Sequence, residues 1–490
     1  MRIALAIPPS WSVMTAPLGI ASIAGALIRA GHEVKVFDLN VRLWNRFKDR
    51  SVDIWDSSQH LLWQETKSYQ EVVLPMIEES LAQLAAEVAA WQPEVLGLSL
   101  YDTSANCGRT FSAMMKQHLP ELKIIFGGPA VKKWSLIERK DFDQKAGENY
   151  ILDVAVIGEG ELSALEVMDR FQTGQPLDGC LGIGYRDQSG QVVFTGTRAN
   201  MNLLDLPIPY FGDFDFNLYR EVKLPVMMSR GCVAKCTFCS ETRFWNKYRF
   251  RDANHIFEEF KNNYYRYGIG VYAMADSLIN GNFKVLSDLA DLIIASGMKI
   301  EWHGYARIDK RMTKELVGRL AKSGLSFVSY GLETGSQKIM DLMEKRTTVE
   351  TAREVIRETH KAGIGVHLNM IVGFPGETEE DFQQTLQFLE ENIEFISVIN
   401  TGETLSIGMD TPLGMTPGKF DVRVKADGFI DWDQDGRWVS VDGSNTYSVR
   451  RARLERLRNF LDQFDHVLQF PGGKARKLRN IAPVTHGLTI

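Results

Sequence analysis

The sequence predicts an α/β chain: a parallel sheet with helices first, then a partial (β/α)6 barrel, then a small α-rich C-terminal region. Three observations carry that expectation. The chain opens as strand, helix, strand; glycine-bearing loops recur where later apolar runs end; and from Leu224 to about Glu403 short apolar runs alternate with helical stretches. At 490 residues the chain exceeds one ordinary core, and its length suggests roughly three domains. Apolar content of 44% and charged content of 24% are those of a globular protein.

Residues 3–7 form a short apolar run that stops at Pro8-Pro9. A small-residue helical pattern covers 18–29, Gly31 follows, and 33–39 is a second strand closing on Asp38. Such a βαβ opening makes a parallel sheet. Its glycines do not spell G-x-G-x-x-G, which argues against an ordinary dinucleotide site. A polar insert, 41–70, carries Trp44, Trp55 and Trp63 and reads equally as a surface excursion with buried anchors or as a lid over a ligand. A helix over about 69–91 leads to the strand 95–100, whose loop carries Ser99 and Thr103 into a helix near Ala105. The strand 123–126 ends in Gly127-Gly128, and 153–157 ends in Gly158-Glu159-Gly160-Glu161 ahead of a helix over 162–171. Loops at the carboxyl ends of parallel strands line the crevice where such sheets bind ligands, and glycine lets backbone approach a ligand closely. Residues 180–197 read as a hairpin around Asp187-Gln-Ser-Gly190.

Residues 202–216 have the composition of a linker, and their aromatics Tyr210, Phe211, Phe214 and Phe216 are expected to pin two domains together. The barrel strands are expected at 224–228, 270–276, 299–307, 326–333, 366–373 and 395–401, with chemistry at their carboxyl ends. His367 and Tyr330 are expected to pack inside the barrel. Residues 408–438 are turn-rich and would cover its open side. Residues 449–470 have helical spacing, with an apolar face of Leu454, Leu457, Phe460, Leu461 and Phe464 ringed by arginines; the default is a helix packed on the core, the alternative a membrane-surface or partner role.

Three of the five cysteines, Cys232, Cys236 and Cys239, fall within eight residues as C-x3-C-x2-C, just after the first barrel strand. Three thiolates so close can ligate three irons of a cubane cluster. The fourth iron is then left for a substrate or cofactor. Zinc, or plain buried thiols, is the competing reading; structural zinc wants four protein ligands, and neither Cys107 nor Cys180 sits in a second C-x2-C pair.

At this loop the chain resembles the radical S-adenosyl-L-methionine (SAM) superfamily, whose signature is the same spacing with an aromatic residue, here Phe238, before the last cysteine. The resemblance implies a [4Fe-4S] cluster whose open iron chelates SAM, with reductive cleavage to methionine and a 5'-deoxyadenosyl radical. It further implies an electron donor such as flavodoxin or ferredoxin. It assigns the SAM contacts of the strand ends to Glu333 for the ammonium or ribose diol and Arg307 for the carboxylate, and further to Ser277 and Asn369.

Residues 1 to about 175 resemble the cobalamin-binding domain found ahead of many radical SAM cores. The matching positions are Pro17-Leu18-Gly19, Leu98-Ser99, Gly127-Gly128 and Gly158-Glu159-Gly160-Glu161. That resemblance implies a Rossmann-like sheet with cobalamin contacts at Ser99, Thr103, Gly127, Gly128, Gly158, Glu159 and Gly160. The D-x-H-x-x-G string that supplies a histidine to cobalt in other cobalamin proteins is absent from all nine histidines, so the lower cobalt face is expected to carry water or nothing.

Together these readings give four segments: 1–197, a cobalamin-binding domain with a terminal hairpin; 198–222, a linker; 223–404, the radical SAM core; and 405–490, a capping region. The expected reaction is methylation of an unactivated carbon of a small molecule, lipid or natural product. The alternatives are radical cyclisation or rearrangement with cobalamin as electron carrier, or a cobalamin-binding regulator that does not cleave SAM. A net charge of −6 gives no support to a nucleic-acid partner, and no apolar run reaches the roughly 18 residues of a membrane span. A cytoplasmic protein is expected.

Overall fold

The computed structural model describes residues 1–49, 53–131 and 152–470. Two compact units emerge, Met1–Val226 with Glu258–Val271, and Met227–Phe257 with the described residues from Tyr272 onward.

The first unit is built on β1 (Arg2–Ile7), β2 (Glu33–Asp38), β3 (Val95–Ser99), β4 (Lys123–Gly127), β5 (Val154–Val156), β6 (Ile183–Arg186) and β7 (Val192–Phe194). Their order is β2-β1-β3-β4-β5-β6-β7. Pairings through β5 are parallel, and the expected hairpin adds β6 and β7 antiparallel. Apolar, nearly continuously buried strands such as β1 belong in a sheet covered on both faces. Winding reverses direction between β1 and β3, which makes their carboxyl ends the topological switch point.

The tryptophan insert is core, not lid. Trp63 is fully buried, donates from its indole N–H to the Ile54 carbonyl at 2.7 Å, and meets Trp55 edge-on at 5.0 Å. The residues expected as a linker form a strap on the first unit. Val36 N–H donates to Asp213 at 2.9 Å, the Tyr219 hydroxyl donates to buried Asp38 at 2.6 Å, and Phe211 packs on Phe214 and Tyr267. Gly25 permits that strap, because a Cβ there would lie 2.5 Å from the Ile208 carbonyl oxygen.

In chain order β8 (Leu224–Val226) leads into the second unit, with β9 (Ser229–Arg230), β10 (Arg249–Phe250), β11 (Val271–Met274), β12 (Glu301–Ala306), β13 (Leu325–Glu333), β14 (Gly365–Met370), β15 (Val398–Asn400) and β16 (Leu468–Phe470). From β12 to β16 each strand pairs in parallel with the next, the sequential winding of a barrel. Burial alternates along β12 and β14. One face lies under helices, where Tyr330 bonds Thr359 of helix Val349–Lys361 at 2.9 Å. The other carries a ring stack, His303–Phe327–His367, at 4.2 Å centroid spacings.

The C-terminal helix stops at Leu461, and 468–470 pairs with β15 as β16 instead of continuing the helix to 470. The short apolar run covers a strand edge whose backbone groups would otherwise lack partners. The arginines of that helix turn inward or pair locally. Arg450 lies 3.8 Å over the Trp438 ring, Arg453 pairs Glu377 at 3.1 Å, Arg451 pairs Glu403 at 2.9 Å, and Arg456 pairs Glu379 at 2.7 Å. These contacts support the packed-helix expectation over the membrane-surface one. Among the described residues no helix is long and apolar enough to cross a membrane.

Candidate active site

The cysteine loop begins at Gly231, where φ is +83° and a Cβ would lie 2.8 Å from the Lys247 carbonyl oxygen, so only glycine fits without strain. Cys232, Cys236 and Cys239 are all free thiols and all half-buried. The Ala234 N–H points at Cys232 Sγ at 3.4 Å, and Arg307 Nη1 lies 3.8 Å from Cys236 Sγ. Burial pushes the Cys239 thiol up to about 11 and raises Cys232, with Arg307 and the Ala234 amide acting the other way on Cys232. Cys236 also raises Cys232, and Cys236 and Cys232 both raise Cys239, so the sulfurs share one electrostatic pocket. The loop is held in place from behind: Thr237 N–H donates to Met343 O at 3.1 Å, Thr237 Oγ1 to Leu342 O at 3.2 Å, and Leu413 N–H to Thr237 O at 2.8 Å. Phe238 packs against a core of Ile339, Met343, Phe374, Leu413 and Trp438.

These donors fit an iron-sulfur cluster. Among the described residues no three His, Cys, Asp or Glu side chains converge tightly enough for a single ion. A cluster asks less, since each thiolate takes a different iron, and a cation beside Cys236 offsets the negative charge of a thiolate-bound cluster. The raised Cys232 and Cys239 thiols mean that binding iron must displace protons from those two sulfurs.

Strand ends gather around the loop. Glu333, the last residue of β13, has φ +72° and follows a register break opposite β14. A non-glycine residue there carries about 1–3 kcal/mol of backbone strain. Its carboxylate pairs with Lys345 Nζ at 3.2 Å, both side chains nearly buried at 11% and 8% exposed. Gly331 makes room for them, since a Cβ there would lie 2.6 Å from Glu333 Oε1. Lys345 also sits 5.8 Å from the Phe238 ring, and its carbonyl accepts from Arg307 Nη2. Arg307 does not pair with Glu333; it is held between Cys236, the Lys345 carbonyl and a reciprocal backbone pairing with Asn280 at 2.8 and 3.0 Å.

The other expected SAM contacts lie elsewhere on the same face. Ser277 Oγ donates to Glu241, at the start of helix Glu241–Trp245. Asn369 accepts from Asn400 at 3.1 Å, one strand beyond Glu333. Asp276 is buried, accepts from Met228 N–H at 2.9 Å and Ser229 Oγ at 2.5 Å, and is raised by burial to about 7. It pins the backbone that enters the cysteine loop. Lys345, Glu241 and Asp276 had no sequence-assigned role. Lys345 lies twelve residues beyond Glu333, between Glu344 and Arg346, whose positive φ values bend the chain back; spacing gives no sign of that bend.

In the first unit, Ser99, Thr103, Gly127, Gly128, Gly158, Glu159 and Gly160 all lie at the carboxyl ends of β3, β4 and β5 or in the loops that follow. Two kinds of glycine separate here. Gly128, φ +96°, is fixed by packing, since a Cβ would lie 2.6 Å from the Leu100 carbonyl oxygen and 2.8 Å from its nitrogen. A Cβ at Gly158, φ +88°, or at Gly19 meets nothing within 4 Å. Gly19 lies after β1 and Gly158 after β5, so this open backbone stands on the carboxyl-end side of the sheet, the side where such sheets bind ligands.

Residues 226–389 match the Radical SAM superfamily, so the chain carries a radical SAM domain. Its fold is shared with a radical S-adenosylmethionine methyltransferase, TsrM, from Kitasatospora setae, solved with cobalamin and a [4Fe-4S] cluster bound: TM-score 0.68, 16% identity, 95% of this chain and 92% of that one. Among relatives, an uncharacterised methyltransferase of Pyrococcus horikoshii is 24% identical over 403 residues, 80% of this chain and 78% of that protein. The anaerobic magnesium-protoporphyrin IX monomethyl ester cyclase of Cereibacter sphaeroides is 26% identical over 314 residues, 62% of this chain and 50% of that protein.

Proposed function

We propose that this chain is a cobalamin-dependent radical SAM enzyme that methylates an unactivated carbon of a small molecule, lipid or natural product. The observation that carries the reading is three free thiols on one braced loop, with Arg307 beside Cys236 and the Glu333–Lys345 pair behind Phe238. Cys232, Cys236 and Cys239 would hold the cluster, and the crevice of the first unit, with Ser99, Thr103, Gly127, Gly128, Gly158, Glu159 and Gly160, would hold cobalamin. When bound, the cluster supplies the electron for SAM cleavage and cobalamin a carrier for the methyl group.

The chain's own residues bind, orient and exclude water. Arg307 offers a planar donor fork for the SAM carboxylate, and Glu333 an acceptor for its ammonium or diol. Ser277 and Asn369 supply neutral hydrogen-bonding groups at neighbouring strand ends. Phe238 and the core behind it cover one side of the loop and hold it in place. An electron donor such as flavodoxin or ferredoxin would deliver the electron, and an oxygen-sensitive cluster suits the cytoplasm.

Anaerobic reconstitution with iron, sulfide, cobalamin and SAM, followed by assay with candidate substrates, tests the reading. Methyl transfer predicts 5'-deoxyadenosine and S-adenosylhomocysteine in equal amounts. The former without the latter removes methyl transfer and leaves cyclisation or rearrangement, the second reading, which the likeness to an anaerobic cyclase favours. No SAM cleavage after reduction removes both.

A further inference from the structure

On the face of the second unit's sheet turned away from its helices, side chains stand in rows across the strands. In one row Tyr305 of β12 is registered with Ser329 of β13, Ser329 with His367 of β14, and His367 with Val398 of β15. Neighbouring strands lie about 4.8 Å apart, so the three polar residues span roughly 10 Å, the width of a small ring compound. Two residues further along β12 and β14 stand Arg307 and Asn369, the SAM contacts of the proposed function. The row of Tyr305, Ser329 and His367 therefore lies one step nearer the strands' amino ends than that seat.

Its side chains are held but not satisfied. Tyr305 is 51% exposed, and Ser329 and His367 are half-buried. Among the described residues, none hydrogen-bonds the Tyr305 hydroxyl, the Ser329 hydroxyl or the His367 imidazole. The His367 ring is nevertheless fixed, stacked on Phe327 at 4.2 Å and 16°. Burial lowers it to about 4, so near neutrality it is uncharged, with one nitrogen to donate and one to accept. Polar groups converging on one open surface, with apolar Phe327 and Val398 beside them, are the lining of a ligand site. The row itself holds no Lys, Arg, Asp or Glu.

We propose that Tyr305, Ser329 and His367 bind the methyl acceptor, and that this acceptor is an uncharged molecule presenting hydroxyl or amide groups to them. With Arg307 engaged by SAM, a carboxylate or phosphate in this row would lose its water and gain no cation, which disfavours it. The inference rests on the reading of the second unit as a SAM-binding enzyme.

The test uses the full chain, reconstituted anaerobically with cluster and cobalamin and left unreduced so that SAM stays intact. SAM is titrated first by calorimetry. At saturating SAM, two uncharged probes, benzamide and phenyl glucoside, and two anions, benzoate and phenyl phosphate, are then followed on the ring signals of carbon-13-labelled histidine. At least one uncharged probe is expected to bind and to move the His367 signal, which His367→Phe identifies by its loss; both anions should bind at least tenfold more weakly. Tyr305→Phe and Ser329→Ala each remove one hydroxyl and should weaken that probe by about 3- to 10-fold without altering SAM affinity. An anion bound as tightly as the uncharged probes, neither uncharged probe bound, or a bound probe indifferent to all three substitutions overturns this inference alone. No SAM bound by the wild type overturns the reading of the second unit and this inference with it.

Discussion

Replacing Lys345 with methionine keeps most of the side-chain volume and removes one charge from a buried pair. Lys345 Nζ and Glu333 Oε1 are 3.2 Å apart, with side-chain exposures of 8% and 11%. At an effective dielectric of 20 their attraction is about 5 kcal/mol. Most of that offsets the cost of burying the two charges, so the pair as a whole adds little. Removing one partner is different, because it strands the other, and costs about 3–5 kcal/mol. The loss falls on a residue already strained by φ +72°. Denaturant unfolding of the apo chain, followed by near-UV circular dichroism, should place Lys345→Met about 3–5 kcal/mol below wild type. The double variant Lys345→Met/Glu333→Gln should recover most of that loss, since no charge is then left unpaired. A cost below about 1 kcal/mol for Lys345→Met, or additive costs in the double variant, would refute the claim that these groups form one buried unit.

Other outcomes follow from the same geometry. Gly373→Ala should destabilise the chain by roughly 3 kcal/mol or more, because Gly373 has φ +83° and a Cβ would sit 2.3 Å from Arg450 Cγ and Cδ; an unchanged melting temperature would contradict that packing. Gly128→Ala should lower cobalamin retention and the stability of the first unit together, since the new Cβ strikes Leu100 backbone; equilibrium dialysis and thermal melts read both. Burial lowers His367 from 6.5 to about 4. Its stabilising contribution is therefore complete above about pH 6.5 and lost as pH falls toward 4. His367→Phe, which keeps the ring against Phe327, should flatten the acid limb of stability against pH, by at most about 3 kcal/mol and less to the extent that the ring is exposed. A slope identical to wild type would place the acid sensitivity elsewhere.

What the sequence disclosed and what it hid follow from how local each feature is. The proposed cluster ligands Cys232, Cys236 and Cys239 lie within eight residues, so a local spacing was enough to single them out. The strands were readable because buried parallel strands are short apolar runs ending in glycine or polar turns, and the predicted positions agree with β11 to β15 to within a few residues. Pairings across long separations were hidden. Glu333 finds Lys345 through a reversal at Glu344 and Arg346, and Trp11 finds Tyr101 only because the sheet sets β1 beside β3. The insert's tryptophans looked the same as surface anchors or lid, since composition does not report that Trp63 has no exposure. Residues 467–470 kept helical spacing with what precedes them, and the free edge of β15 decided otherwise.

Three thiolates should leave one iron of the proposed cluster open for SAM. EPR of the anaerobically reconstituted, reduced chain, recorded with and without SAM, addresses it directly. The expected result is a cluster signal of roughly four irons per chain that shifts when SAM is added and is absent when any one of Cys232, Cys236 or Cys239 is replaced by alanine. A cluster signal indifferent to SAM, or zinc in place of iron at these sulfurs, would contradict it.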